Sequence, residues 1–151
     1  MELFTHWLLP CFWAFLSCVG FSLVFNLRGR MILWCSAGGA VGWLFYLITG
    51  ALGGGDILQN FVAIVVIAAY AETVARIKKA PATVFLIVAL IPLVPGGGIY
   101  YAMEYCIAGE MDRFLDTTVH TLAIAGVLAL GILLVSSAVR MWYTIRRSGH
   151  L

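Results

Sequence analysis

Charged residues are scarce in this chain. Of its 151 residues, nine are Lys or Arg and seven are Asp or Glu, so that 11% are charged and 63% are apolar. A soluble domain carries about 25% charged residues, and the charge present here is too little to cover a soluble surface. The mean hydropathy of +1.03 points to the same class. The composition therefore predicts an integral membrane protein surrounded by the lipid bilayer.

Patterns that bind metals or support covalent catalysis are also missing from the sequence. The four cysteines form no CxxC pair, and no histidine has a spacing suited to a metal. His6, His120 and His150 have no partner in the sequence, so no site is assigned to them. Without a nucleophile–base pair at membrane depth, an enzyme is not expected. Neither a cofactor, nor a metal, nor a nucleic-acid partner is expected.

Long apolar stretches separated by short charged islands predict five transmembrane helices in a single domain, residues 1–151. Each stretch has at least 19 residues, enough to cross about 30 Å of hydrocarbon and too long for the strands of an outer-membrane barrel. The first stretch lacks the basic start and the cleavage site of a signal peptide, so it is expected to be retained. The predicted spans are 6–25, 31–52, 57–75, 81–108 and 117–142.

The basic residues predict the orientation. With five spans, eight of the nine basic residues fall on one side of the membrane and six of the seven acids map to the other half. The positive-inside rule then places the N-terminus outside and the C-terminus in the cytoplasm. The basic residues on that side are Arg28, Arg30, Arg76, Lys78, Lys79, Arg140, Arg146 and Arg147.

Glu72 is the one acid that does not belong to the outer group. It precedes Arg76 by four residues, an order that favours an ion pair on one helix face. A carboxylate at membrane depth is costly and by default marks a functional pathway. In the other interpretation, Glu72 only neutralises Arg76 at the cytoplasmic interface. The residues alone leave both interpretations open.

Prolines and glycines interrupt the fourth span between Pro92 and Gly98. The two prolines remove backbone donors and disfavour helix before them, and the three glycines leave their amides unobstructed. A helix that starts at Pro81 reaches Pro92 after about 17 Å, near the middle of the membrane. We therefore predict a broken transmembrane helix, the kind of break that marks the binding site in many transporters.

The same stretch has a second interpretation, in which the span ends at Val94 and residues 99–108 lie in the membrane interface. Glu104 is either a contact for a substrate ammonium group or an ordinary outer-facing acid. The candidate substrate-binding residues are Pro92, Pro95, Gly96, Gly97, Gly98 and Tyr101. The candidates for proton coupling or ion pairing are Glu72, Arg76 and Glu104.

Small residues in the second span, at Gly38 and Gly42, have the spacing that lets helices approach closely. They serve either packing within this chain or a face for a partner subunit, and the first interpretation is favoured.

Three segments resemble a known family in their order and spacing: "VGFSLVFNLRGRMILWCSAGGAVGW", "AETVARIKKAPATVF" and "IPLVPGGGIYYAM". They are similar to the small, C-terminal half of the threonine/serine exporter family, and the resemblance covers essentially the whole chain. It implies proton-driven secondary export of small amino acids across the bacterial inner membrane. Some relatives are linked to dicarboxylates such as succinate. Because members either fuse two halves or encode them separately, the resemblance implies a small subunit that acts with a larger membrane half.

The expected mechanism combines these features. The substrate carboxylate binds at Pro95–Gly98, Glu72 or Glu104 exchanges a proton, and rocking of the two halves alternates access. The alternative is a membrane scaffold or regulatory subunit that does not itself transport.

Overall fold

Six helices account for nearly all of the chain in the computed structural model, which describes residues 7–148 and the side chains of residues 7–145. Lipid offers no hydrogen-bond partners, and helices satisfy their backbone groups internally. No strand occurs in the described part, so the all-α class is confirmed. The helices are α1 (Leu9–Val24), α2 (Arg30–Ala51), α3 (Asp56–Lys78), α4 (Ala82–Leu90), α5 (Gly96–Ala108) and α6 (Met111–Ser148).

Helix α2 occupies the centre of the bundle, with α1, α3 and α4 packed around it, while α6 packs on α3 and on α5. The buried glycines of α2 permit this close approach. A side chain at Gly39 would collide with Cys18 of α1, and one at Gly42 would collide with Ile67 of α3. The glycine pattern of the second span therefore packs this chain's own bundle, as favoured from the sequence, and is not a face left open for a partner.

Helices α3 and α6 run parallel and touch near both ends. At one end, Asp56 Oδ2 lies 3.0 Å from His120 Nε2. At the other, the guanidinium carbon of Arg76 lies 4.2 Å from the ring centroid of Tyr143. Twenty residues separate Asp56 from Arg76, and the same number separates His120 from Arg140. Each segment rises about 30 Å, which is the thickness of the hydrocarbon layer.

The basic groups gather at one end of this bundle. Besides the contact of Arg76 with α6, the ammonium of Lys78 lies 4.5 Å from the ring centroid of Trp34, in the second turn of α2. The start of α2 and the ends of α3 and α6 are therefore neighbours. The charge asymmetry seen along the sequence is a property of the folded bundle, with the basic end opposite Asp56.

Among the described residues, fewer helices qualify as candidate crossings than the five predicted spans. Helices α2, α3 and α6 are long and apolar enough to cross a membrane, and α4 with α5 supplies a fourth crossing if the bent pair is one span. Helix α1 has 16 residues, about 24 Å, which is short of a full span. The five-span prediction is thus met only in part. His6, the first residue of the first predicted span, lies outside the described residues, and so does His150 near the end of the chain.

The break in the fourth segment is narrower than predicted. A short 3-10 turn (Ile91–Leu93) follows α4, only Val94 and Pro95 are non-helical, and α5 resumes at Gly96 with a bend of 50°. Val94 adopts an extended conformation, with ψ of 125°, because the ring of the following proline disfavours the helical one. The three glycines, expected within the break, instead form the first turn of α5.

Candidate functional site

A pocket of about 270 Å³ lies beside this break. The break supplies one wall, and α2, α3 and α6 supply the others, so the pocket exists only in the folded bundle. Its lining residues are Trp43 and Tyr46 of α2, Asp56 and Asn60 of α3, Pro92, Leu93, Pro95 and Gly98 of the break, and Thr117, His120, Thr121 and Ile124 of α6.

Asp56 is the polar centre of the pocket. Its Oδ1 accepts a hydrogen bond from the Tyr46 hydroxyl at 2.7 Å and lies 3.3 Å from Asn60 Nδ2. Its Oδ2 lies 3.0 Å from His120 Nε2. Three helices therefore converge on one carboxylate, and its two oxygens have different partners.

Local structure fixes the groups on the Oδ1 side. Asp56 is the first residue of α3, where the helix dipole favours a negative charge. One turn later, Asn60 Nδ2 also donates to the Asp56 carbonyl at 2.9 Å. The Tyr46 ring is stacked on Trp43, with ring centroids 5.0 Å apart. Packing thus holds the tyrosine hydroxyl where it donates to the carboxylate.

Another wall of the pocket is formed where the first turn of α5 packs against α6. Gly98 faces Thr121 so closely that a Cβ at this position would collide with the threonine hydroxyl. That hydroxyl donates to the Thr117 carbonyl at 2.6 Å. The first N–H groups of a helix have no acceptor within it. In the described part of the chain, the amides of Gly97 and Gly98 donate to no backbone carbonyl.

The structure brings only some of the predicted binding residues to the pocket. Pro92, Pro95 and Gly98 line it. A Cβ at Gly96 or Gly97 would meet no atom within 4 Å, so these glycines face open space. Tyr101 is 53% exposed and packs edge-on against Tyr100.

The predicted coupling residues lie elsewhere. Glu72 Oε2 and Arg76 Nη2 are 3.1 Å apart at the basic end of the bundle. They border a cavity of about 430 Å³ shared with Arg140 and Tyr143. Glu104 is exposed on α5, beside Met103. Neither acid lines the pocket at the break.

Sequence reasoning missed the polar half of the pocket. His120 was expected to have no partner, and this was wrong, since it pairs with Asp56 across 64 positions of chain. The available signals were an acid at the start of α3 and a single histidine in the apolar α6. Nothing in the sequence indicates that these two positions meet, because the contact depends on how α6 packs against α3.

Helices broken beside a polar ligand site are common in secondary transporters. The apolar helices make this chain a multi-pass helical membrane protein, and its broken helix places it with the transporter class. The family model described as threonine/serine exporter, ThrE, matches residues 10–138. This match covers most of the chain, which belongs to the threonine/serine exporter family, a family of transporters. No solved structure matches the chain.

Proposed function

We propose that this chain is the small membrane half of a split exporter of threonine, serine or similar small carboxylate-bearing metabolites. The observation that carries the proposal is the pocket at the helix break, which is lined both by Asp56 and by Gly98 of the first turn of α5. Ligand pockets usually measure about 300–1,000 Å³. A pocket of about 270 Å³ is slightly smaller than this range, so it suits a small ligand of amino-acid size.

The substrate carboxylate binds at the start of α5. The amides of Gly97 and Gly98 have no backbone acceptor, and a helix N-terminus attracts negative charge through its dipole and its free N–H groups. Gly98 lines the pocket, so this end of the helix is accessible to a ligand there. Pro95 fixes the turn that precedes it.

Transport requires a partner, which we propose to be the larger membrane half of the same family. The basic end of the bundle faces the cytoplasm of a bacterial cell by the positive-inside rule. Asp56 and His120 then lie near the outer boundary of the inner membrane. Rocking of the two halves opens the pocket alternately to each side.

The proton-exchange role expected of Glu72 or Glu104 stays a prediction. Both acids lie outside the pocket, and Glu72 already pairs with Arg76. They would couple transport through a movement of the bundle rather than through contact with the substrate.

The test is efflux of preloaded labelled threonine and serine from cells that express this chain, its candidate larger half, or both. Gly98→Leu places a side chain against Thr121 and into the pocket wall, while Gly97→Leu places it in open space. We expect efflux only with both halves, lost with Gly98→Leu and retained with Gly97→Leu. Membrane levels of every variant are measured by immunoblot.

Two results would contradict the proposal. Undiminished efflux with Gly98→Leu would remove the pocket from the transport path. Absence of threonine and serine efflux, with both halves assembled, would favour a scaffold subunit, or a dicarboxylate exporter if labelled succinate leaves the same cells.

A further inference from the structure

The two carboxylate oxygens of Asp56 have different partners: Tyr46 and Asn60 hold Oδ1, and His120 lies against Oδ2. We propose that Asp56 Oδ2 pairs alternately with protonated His120 and with the ammonium group of the substrate, so that proton and substrate compete for one carboxylate. This inference rests on the proposed function and assigns to His120 and Asp56 the coupling role that was predicted for Glu72 or Glu104.

The contacts of Asp56 permit such an exchange. Tyr46 and Asn60 hold Oδ1 and do not depend on His120. When the imidazole leaves, the carboxylate therefore keeps its position. The side chains of Asp56 and His120 are 40% and 52% exposed, respectively, and both line the pocket. A ligand in the pocket can thus reach Oδ2 without disturbing the groups that hold Oδ1.

The charges around the pocket leave Asp56 with few cationic partners. Among the lining residues, the titratable ones are Asp56, His120 and Tyr46. The break contributes no charged group, and α2 has none after Arg30. On α6, exposed Asp116 precedes His120 by one turn and adds negative charge. Arg113, two turns before His120 on α6, pairs with Glu110 at 2.9 Å and does not line the pocket. Among the lining residues, a cation for Asp56 comes from protonated His120, and otherwise it must come from the ligand.

The exchange gives a balanced cycle for export. Histidine takes up and releases a proton near neutral pH. With the pocket open to the outside, a proton from water binds the His120 imidazole, which pairs with Asp56. With the pocket open to the cytoplasm, that N–H bond breaks, the proton passes to water, and the substrate ammonium takes the vacated oxygen. One proton enters for each zwitterionic amino acid that leaves, and one positive charge moves inward.

The same geometry sets the class of substrate. A zwitterionic amino acid presents its ammonium to Asp56 and its carboxylate to the first turn of α5 near Gly98. A dicarboxylate places a second negative charge against Asp56, which the pocket does not offset. The site therefore favours small α-amino acids over dicarboxylates of similar length.

The experiment uses both halves reconstituted in liposomes. Two fluxes of labelled threonine are measured: exchange against unlabelled threonine, and accumulation driven by a proton gradient. The variants are His120→Gln and Asp56→Asn, with Asp112→Asn as a control that removes one exposed charge from the same end of the bundle, two turns before His120. Proton release on adding threonine to the solubilised complex, in weak buffer, provides a readout that does not depend on transport.

We expect His120→Gln to lower the ratio of driven accumulation to exchange at least about tenfold and to flatten its pH dependence, since the proton carrier is gone. Asp56→Asn should lower both fluxes about 10- to 100-fold, the factor for a lost hydrogen bond to a charged group. Asp112→Asn should leave both fluxes unchanged. The wild-type complex should release about one proton for each threonine bound.

The outcomes separate this inference from the function on which it depends. Driven accumulation and proton release that survive His120→Gln would overturn the coupling role while leaving an exporter intact. A wild-type complex that neither binds nor moves threonine would overturn the proposed function, and the coupling role with it.

Discussion

The two ends of the α3–α6 pair both carry a carboxylate beside a cationic or basic side chain, but they are built differently. At the pocket end, Asp56 and His120 come from different helices and lie against a helix break. At the basic end, Glu72 and Arg76 come from one helix, and the Arg76 side chain is 40% exposed. The first pair requires the bundle, whereas the second forms on an isolated helix.

This difference indicates where coupling is built. A pair four residues apart on one helix contributes about 0.3–0.5 kcal/mol, and its two partners stay together when the bundle moves because the same helix carries both. A pair that joins two helices inside a ligand-sized pocket is made or broken when the helices shift or a ligand enters. For this reason we place the function at Asp56 and His120.

The largest expected effect comes from separating the two helices. A side chain at Gly131 of α6 would collide with Ile64 of α3, while one at Gly126 would meet no atom within 4 Å. Overpacking of this kind costs about 1–3 kcal/mol. Gly131→Leu should therefore lower thermal stability in detergent and abolish threonine exchange, because both end contacts depend on α3–α6 packing. Gly126→Leu is the matched control, and equal stability of the two variants would contradict this packing.

An intermediate effect is expected from removing a tyrosine hydroxyl at the pocket end, and the same deletion at the basic end serves as the control. Tyr46→Phe deletes a donor to Asp56, and hydrogen bonds to charged groups contribute about 1.5–3 kcal/mol. The half-saturating threonine concentration should rise about tenfold. This corresponds to the lower end of that energy range, which applies because the pocket is partly open to water. Tyr143→Phe keeps the ring that covers Arg76 and should change nothing. A similar response of the two variants would mean that the pocket end has no special role.

The smallest effect is expected from Glu72→Gln. It removes a pair at the open basic end, so stability should change by no more than about 0.5 kcal/mol. Proton-driven accumulation of threonine should stay within about twofold of wild type, by the same estimate for an exposed pair. Loss of driven accumulation with intact exchange would return the proton role to Glu72 and count against His120.

Features that depend on neighbours along the chain could be predicted. The ion pair between Glu72 and Arg76 follows from helical spacing, and the break near Pro95 follows from the missing donor and the restricted residue before it. The extent of the break could not be predicted. Glycine tolerates helix as well as turn, and open space around Gly96 and Gly97 lets α5 begin there.

The candidate site could be predicted only on the side that the break supplies. Pro92, Pro95 and Gly98 line the pocket as expected, while Tyr101 lies outside it. Helix α5 packs mainly against α6. On such a helix, the spacing of residues indicates which of them share a face. It does not indicate which face turns toward the pocket.

Composition and proline chemistry act locally, so the sequence alone predicts an all-α membrane protein and favours a broken fourth helix. It also carried the family resemblance, which depends only on the order of residues. Only the folded bundle shows that α3 packs directly against α6 and that Asp56 lies beside His120. The physical reason is that apolar helices of similar length pack in many ways, and the arrangement is selected by side-chain contacts such as those of Gly42 with Ile67 and Gly131 with Ile64.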